Sequence, residues 1–122
     1  MELKNYETIF ILTPVLSQQQ IQEGIDKYKD FLQKESAEIV HKEKIGLKKM
    51  AYAIQNKSTG FYYLIEFKAA PTVIEKLATE YRRDERVLRF MTITLDKHGV
   101  AYNQHKRSSE PADHTKDNTE AA

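Results

Sequence analysis

Apolar and polar positions along the chain mark out six elements in succession. Residues 6 to 12, Tyr-Glu-Thr-Ile-Phe-Ile-Leu, are rich in β-branched and aromatic types, short for a helix and stopped by Thr13-Pro14, so they predict a first strand. Apolar groups stand at both odd and even positions, Ile9 and Ile11 against Tyr6, Phe10 and Leu12, as in a central strand with neither face fully wet. Ser17 and Gln20 then give the S-x-x-Q form of a capping box, in which a hydroxyl accepts from a free first-turn amide and the glutamine reaches back. The helix it opens carries Ile21, Ile25, Tyr28 and Leu32 at i, i+4, i+7 and i+11, with Phe31 alongside. Glu23, Asp26, Lys27, Asp30 and Lys34 fall on the watered face.

After Ser36 the period changes to two. Ala37, Ile39, His41 and Glu43 alternate with Glu38, Val40, Lys42 and Lys44, and the run continues from Gly46 to Ile54, where Gly46 permits a bulge or a change of direction. Asn56 to Gly60 has turn composition, and Phe61 to Phe67 reads as a third strand, pairing with the second as a hairpin. Pro71 with the T-x-x-E box of Thr72 and Glu75 predicts a second helix, buried along Val73, Leu77 and Tyr81 with Ile74 and Ala78 beside them, and ending near Arg82-Arg83. Val87 to Leu95 alternates as a fourth strand. The order βαββαβ predicts an α+β, ferredoxin-like split βαβ sandwich, a four-stranded antiparallel sheet with two helices on one face. Two helices cover one face only, so apolar residues left on the other predict a docked partner.

Composition alters this picture at the C-terminus. From Asp96 to Ala122 the only apolar side chains larger than alanine are Val100 and Tyr102, too few to offset the entropy of ordering the chain. The expected organisation is a folded domain over residues 1–95 and a flexible polar tail over 96–122. With four basic and five acidic groups in that tail, the domain holds 15 basic against 13 acidic residues, a net +2. So weak a bias leaves any nucleic-acid contact to where the charges sit. Zero cysteines excludes disulfides, thiolate metal sites and cysteine nucleophiles, and no apolar run is long enough for a membrane span or a leader, which points to the cytoplasm.

Basic residues gather in three places: Lys42, Lys44, Lys48 and Lys49 along the second strand; Arg82, Arg83, Arg86 and Arg89 from the second helix into the fourth strand; and Lys4 before the first strand. Guanidinium forks match phosphate oxygens bidentately, so four arginines in eight residues beside an open sheet suit an RNA backbone. They equally suit compensation of a helix C-terminus and pairing with Asp84 and Glu85. Thr59 to Glu66 matches the base-stacking octamer of RNA recognition motifs only in part: Thr59 replaces a basic residue, Tyr62 a small one and Glu66 a ring. An RNA recognition motif-like regulator binding single-stranded RNA through Phe61 and Tyr63, or a ligand-binding regulatory domain on the same sandwich, are the alternatives. No nucleophile elbow, phosphate loop or H-E-x-x-H is present, and His41 stands alone as a structural imidazole. His98, His105 and His114 are irregularly spaced and read as solvated polar residues. No enzymatic activity, metal or cofactor is expected.

Tyr6-Glu7 with Leu12-Thr13-Pro14, the run Gly46-Leu47-Lys48-Lys49-Met50-Ala51-Tyr52-Ala53-Ile54 with Gly60-Phe61-Tyr62, and Asp84-Glu85-Arg86-Val87-Leu88-Arg89-Phe90-Met91 resemble the bacterial small-subunit ribosomal protein six family. The most specific element is G-x-[KR]-[KR]-[LM]-A-Y-x-I; Met50 and Gln55 depart mildly from the usual residues. The resemblance spans residues 4 to 95 or so and leaves out the tail. It implies a structural protein of the small ribosomal subunit that binds the central domain of 16S ribosomal RNA as a heterodimer with ribosomal protein eighteen, with no membrane and no small-molecule substrate. Carried over by motif position, Lys48, Lys49, Arg86 and Arg89, with Lys4 in the basic N-terminal region, are the expected RNA contacts. Arg82 and Arg83 join them by clustering alone. Ile9, Ile11 and Tyr62 are expected on the partner-facing sheet surface.

Overall fold

A computed structural model describes residues 3–54, 56–96 and 98–103. In chain order the elements are β1 (Lys4–Leu12), α1 (Gln18–Lys34), β2 (Glu38–Ile54), β3 (Lys57–Ala69), α2 (Pro71–Arg83) and β4 (Val87–Leu95). The sheet order is β2-β3-β1-β4 with every neighbouring pair antiparallel. Each helix is therefore the crossover between two strands that run parallel with a third slotted between them, the split βαβ arrangement of the ferredoxin-like α+β fold.

Register decides which side chains meet the helices, because residues directly opposite across a ladder share a face. Tyr6, Thr8, Phe10 and Leu12 of β1 stand opposite Phe67, Ile65, Tyr63 and Phe61 of β3, and opposite Thr94, Thr92, Phe90 and Val87 of β4. Ile25, Tyr28 and Leu32 of α1 and Val73, Leu77 and Tyr81 of α2 close over this set as one core. Rings of Phe10, Tyr28, Tyr81 and Phe90 pack within 5.4 Å of one another in sequence, centroid to centroid. The fully buried Thr8 hydroxyl lies 3.0 Å from the Tyr81 hydroxyl and 2.9 Å from Thr92 Oγ1, so the polar atoms carried into this core partner one another.

Local chemistry sets the element ends. At α1 the capping box forms as expected: the Gln20 amide donates to Ser17 Oγ at 3.1 Å and the Ser17 amide to Gln20 Oε1 at 2.9 Å. At α2 it does not. The helix begins at Pro71 with Ala70 as its cap and no side-chain cap bond, so Thr72 and Glu75 lie within the helix rather than at its cap. The proline, preset for the first helical position, starts the helix alone.

The β2–β3 hairpin reverses earlier in the chain than expected. Ile54 stands opposite Lys57, Asn56 takes φ 65°, and Lys57 to Gly60, expected as turn, already belong to β3. Asparagine tolerates the left-handed region that such a tight reversal requires. Shifts of register also break the expected alternation of β2: Ile39 faces Phe67 beneath the helices, whereas His41 faces Glu66 on the other side. At a second shift stands Gly46, at φ 98°. Since β1 reaches only as far as Phe61, the pair of strands from Lys48 to Gly60 runs on beyond the sheet as a two-stranded ribbon.

At the root of that ribbon Gly60 is required by close approach, since a Cβ there would overlap Cγ2 of Ile11, a β-branched side chain with little freedom to turn aside. Gly60→Ala is expected to cost about 1–3 kcal/mol in urea unfolding. An unchanged midpoint would show that Ile11 yields freely.

Neither α1 nor α2 lies over the opposite face. It presents Asn5, Glu7, Ile9 and Ile11 of β1 between Lys68, Glu66, Leu64 and Tyr62 of β3 and Leu95, Ile93, Met91 and Arg89 of β4. A helical turn at residues 98–103, within the segment expected to lack order, reaches one end of this face. There Asn103 Nδ2 donates to Glu66 Oε1 at 3.3 Å, and Val100 and Ala101 line a cavity with Asn5, Glu66 and Lys68. His105 and His114, with the rest of the tail from 104 onward, lie outside the described residues.

Candidate nucleic-acid and partner interface

The arginines after α2 divide into two groups. Asp84 caps the helix with its side chain only 5% exposed, and Arg86 wraps it: Nε donates to Oδ1 at 3.0 Å, Nη2 to Oδ2 at 2.9 Å and the Arg86 amide to Oδ1 at 3.0 Å. Tyr28 of α1 donates its hydroxyl to Oδ2 at 2.7 Å, and Lys27 Nζ lies 3.4 Å away. Burial alone would raise the Asp84 carboxyl's pKa, but the Arg86 fork, the Tyr28 hydroxyl, the Arg86 amide and Lys27 together outweigh it and hold the group well below the usual carboxylate range. The same contact raises Arg86, while burial and Asp84 push the Tyr28 phenol up. The guanidinium lies against Gly24 of α1, where the absent side chain leaves it room. Arg86, expected to face RNA, is thus turned to a buried carboxylate.

Arg82, Arg83 and Arg89 are exposed, as are Lys48 and Lys49 on the ribbon and Lys4 at the start of β1. Among the described residues the ion pairs use Lys27, Lys29, His41, Lys76 and Arg86; none of those six exposed cations takes part. The suggested pairing of Arg82 and Arg83 with Asp84 or Glu85 does not form, although both lie in the last turn of α2, where a cation complements the carbonyl end.

Topology brings five of the six together. Arg89 faces Ile11, Ile11 faces Tyr62 and Tyr62 faces Gly46, two residues before Lys48. Three strand spacings, about 15 Å, separate the ends of that row. The last turn of α2 leads into Val87, opposite Leu12, at this same end of the sheet. Lys4, opposite Ala69, is at the far end of β1, about 27 Å away at the rise of an extended strand, and stands apart from the cluster.

The uncovered face carries accessible apolar surface, but not quite where it was expected. Ile9 and Tyr62 are half-buried and Ile11 is 8% exposed beside Gly60, while Met91 is 57% and Ile93 43% exposed. The sequence shows the alternation of β4 but not which of its two rows faces the helices; the register with Thr8 and Phe10 turns Phe90 and Thr92 inward and leaves Thr94 exposed toward the end of the strand.

Phe61 and Tyr63 pack beneath the helices, so the rings that would stack bases in an RNA recognition motif face the core, and the open side of β3 offers Tyr62, Leu64 and the buried Glu66. His41 lies 3.5 Å from Glu43 Oε1. No group of three metal-ligating side chains occurs among the described residues, and none of the described helices is long and apolar enough to cross a membrane.

Comparison with known proteins accords with this geometry. The family described as Ribosomal protein S6 matches residues 5–94. The protein named "Small ribosomal subunit protein bS6" of Bacteroides fragilis is 58% identical over 106 residues, 87% of this chain and 93% of that protein. That of Flavobacterium johnsoniae is 53% identical over 106 residues, again 87% of this chain and 94% of the relative. A crystal structure of 30S ribosomal protein S6 from Thermotoga maritima superposes with a TM-score of 0.76 at 21% identity, covering 88% of this chain and 99% of that one, a likeness of fold. With its motif runs placed on β1, the ribbon and β4, and with close relatives along most of its length, the chain belongs to the ribosomal protein S6 family.

Proposed function

We propose that this chain is a structural, non-enzymatic component of the small ribosomal subunit in the cytoplasm, which binds the central domain of 16S ribosomal RNA together with ribosomal protein eighteen. Lys48, Lys49, Arg82, Arg83 and Arg89 contact RNA phosphates. The face bearing Ile9, Met91 and Ile93, with Tyr62 and the edge of Ile11, receives the protein partner. Lys4 serves a separate contact, and Arg86 acts by holding Asp84 and the junction of α2 with β4.

One observation carries this reading: exposed cations outside the ion pairs gather at one end of a sheet whose second face is left with accessible apolar side chains. Isolated cations cost nothing in water and gain most from a polyanion whose counterions they release, whereas exposed Met91 and Ile93 gain only when a partner removes them from water. The test is the salt dependence of binding to a central-domain RNA in the presence of the protein partner. If roughly five phosphates are neutralised, affinity falls about a hundredfold to a few hundredfold between 50 and 200 mM salt. Affinity that does not change with salt would refute the electrostatic contact.

A further inference from the structure

The ribbon beyond the sheet carries a residue that phosphate binding does not explain. Tyr52, near its tip, is 74% exposed, the most exposed of the large apolar side chains among the described residues. Unlike Met50 on the same ribbon, which is buried, the ring is left in water, and its hydroxyl has no hydrogen-bond partner among the described residues. On either side stand Ala51 and Ala53, both exposed and both too small to shield the ring faces. The surroundings are of one sign: from Lys44 to Ile65 the chain holds Lys44, Lys48, Lys49 and Lys57 and no aspartate or glutamate.

We propose that Tyr52 stacks on an unpaired base of the bound RNA. This rests on the reading of the chain as an RNA-binding protein and adds a base contact to its phosphate contacts. Lysines that hold the backbone bring the strand alongside the ribbon, and an open aromatic face flanked by alanines admits a planar base, whichever base it is, because every base has a π-face. A protein surface would satisfy the ring as well, but four lysines without an acid favour the polyanion.

Three proteins, the unaltered chain, Tyr52→Phe and Tyr52→Ala, are compared for binding to a central-domain 16S RNA in the presence of ribosomal protein eighteen, over a series of salt concentrations. Tyr52→Phe keeps the ring and binds as the unaltered chain does. Tyr52→Ala loses about ten- to a hundredfold in affinity. Its salt slope stays unchanged, since no phosphate contact is lost, and its melting temperature is unaffected because the ring is outside the core. A Tyr52→Ala protein that binds RNA at full strength while Lys48→Ala weakens binding would overturn the stacking and leave the RNA-binding reading intact. Loss of affinity for the protein partner in the absence of RNA would assign the ring to the protein and overturn the stacking too. Failure of the unaltered chain to bind the RNA would overturn both.

Discussion

Replacing Asp84 with alanine is expected to destabilise the protein by about 2–4 kcal/mol, out of the roughly 5–15 kcal/mol typical of a small domain. The carboxylate ties Tyr28 and Lys27 of α1 to Arg86 at the entry to β4, whose carbonyl accepts from the Thr13 amide at 2.8 Å after β1, while the Asp84 backbone amide caps α2 by donating to the Tyr81 carbonyl at 3.2 Å. Without it the Arg86 fork and the Tyr28 hydroxyl are left without their acceptor in a half-closed site. Asp84→Asn keeps the shape and loses the charge, so it falls between the two.

The pH dependence follows from the sign of the shift. Asp84 titrates lower in the folded than in the unfolded protein, so its stabilisation is full above the ordinary carboxylate range, near pH 4, and is lost as pH falls toward the folded value. Unfolding by urea at pH 7 and again near pH 3 checks both points: the gap between the unaltered protein and Asp84→Asn narrows in acid. A constant gap would mean that the charge is not what holds the junction. Arg86→Ala lowers stability for the same reason, while RNA affinity per folded molecule holds steady; a fall in affinity at full stability would return Arg86 to the RNA surface.

Much of the architecture was legible in the sequence because local signals and long-range packing agreed. The Ser17-Gln20 box, the stripe of Ile25, Tyr28 and Leu32, and the bounds of β4 required no knowledge of neighbours. Where a position's meaning depended on its partner across the sheet, the sequence was ambiguous. Met91 and Ile93 look as buried as Phe90 does until Thr8, bonded to Thr92 and Tyr81, turns that row toward the helices. Ile39 and His41 share a face under strict alternation and are separated by a register shift. Arg86 and Arg89 look alike three residues apart, yet only Arg86 reaches the Asp84 carboxylate at the end of α2. The basic cluster was visible as composition along the chain; its convergence at one end of the sheet, with Lys4 left at the other, is a consequence of topology.

The central claim is that the helices close one side of the sheet and a protein partner closes the other. Met91→Asp and Ile93→Lys test it on the strand whose open face is most accessible. Both side chains are exposed, so the folded monomer tolerates either change, and position 93 stands opposite Glu7 on β1, a neighbour that suits a cation. Under a docked partner each variant instead carries a charge out of water into an apolar contact, a desolvation cost of several kcal/mol. Opposite signs at the two positions separate burial from long-range attraction, since only burial penalises both. The decisive measurement is the dissociation constant of each purified variant for ribosomal protein eighteen by titration calorimetry, alongside its melting curve. Affinity more than about a hundredfold weaker in both variants, with melting essentially unchanged, is the expected result. Full affinity in both would place the partner elsewhere and contradict the account.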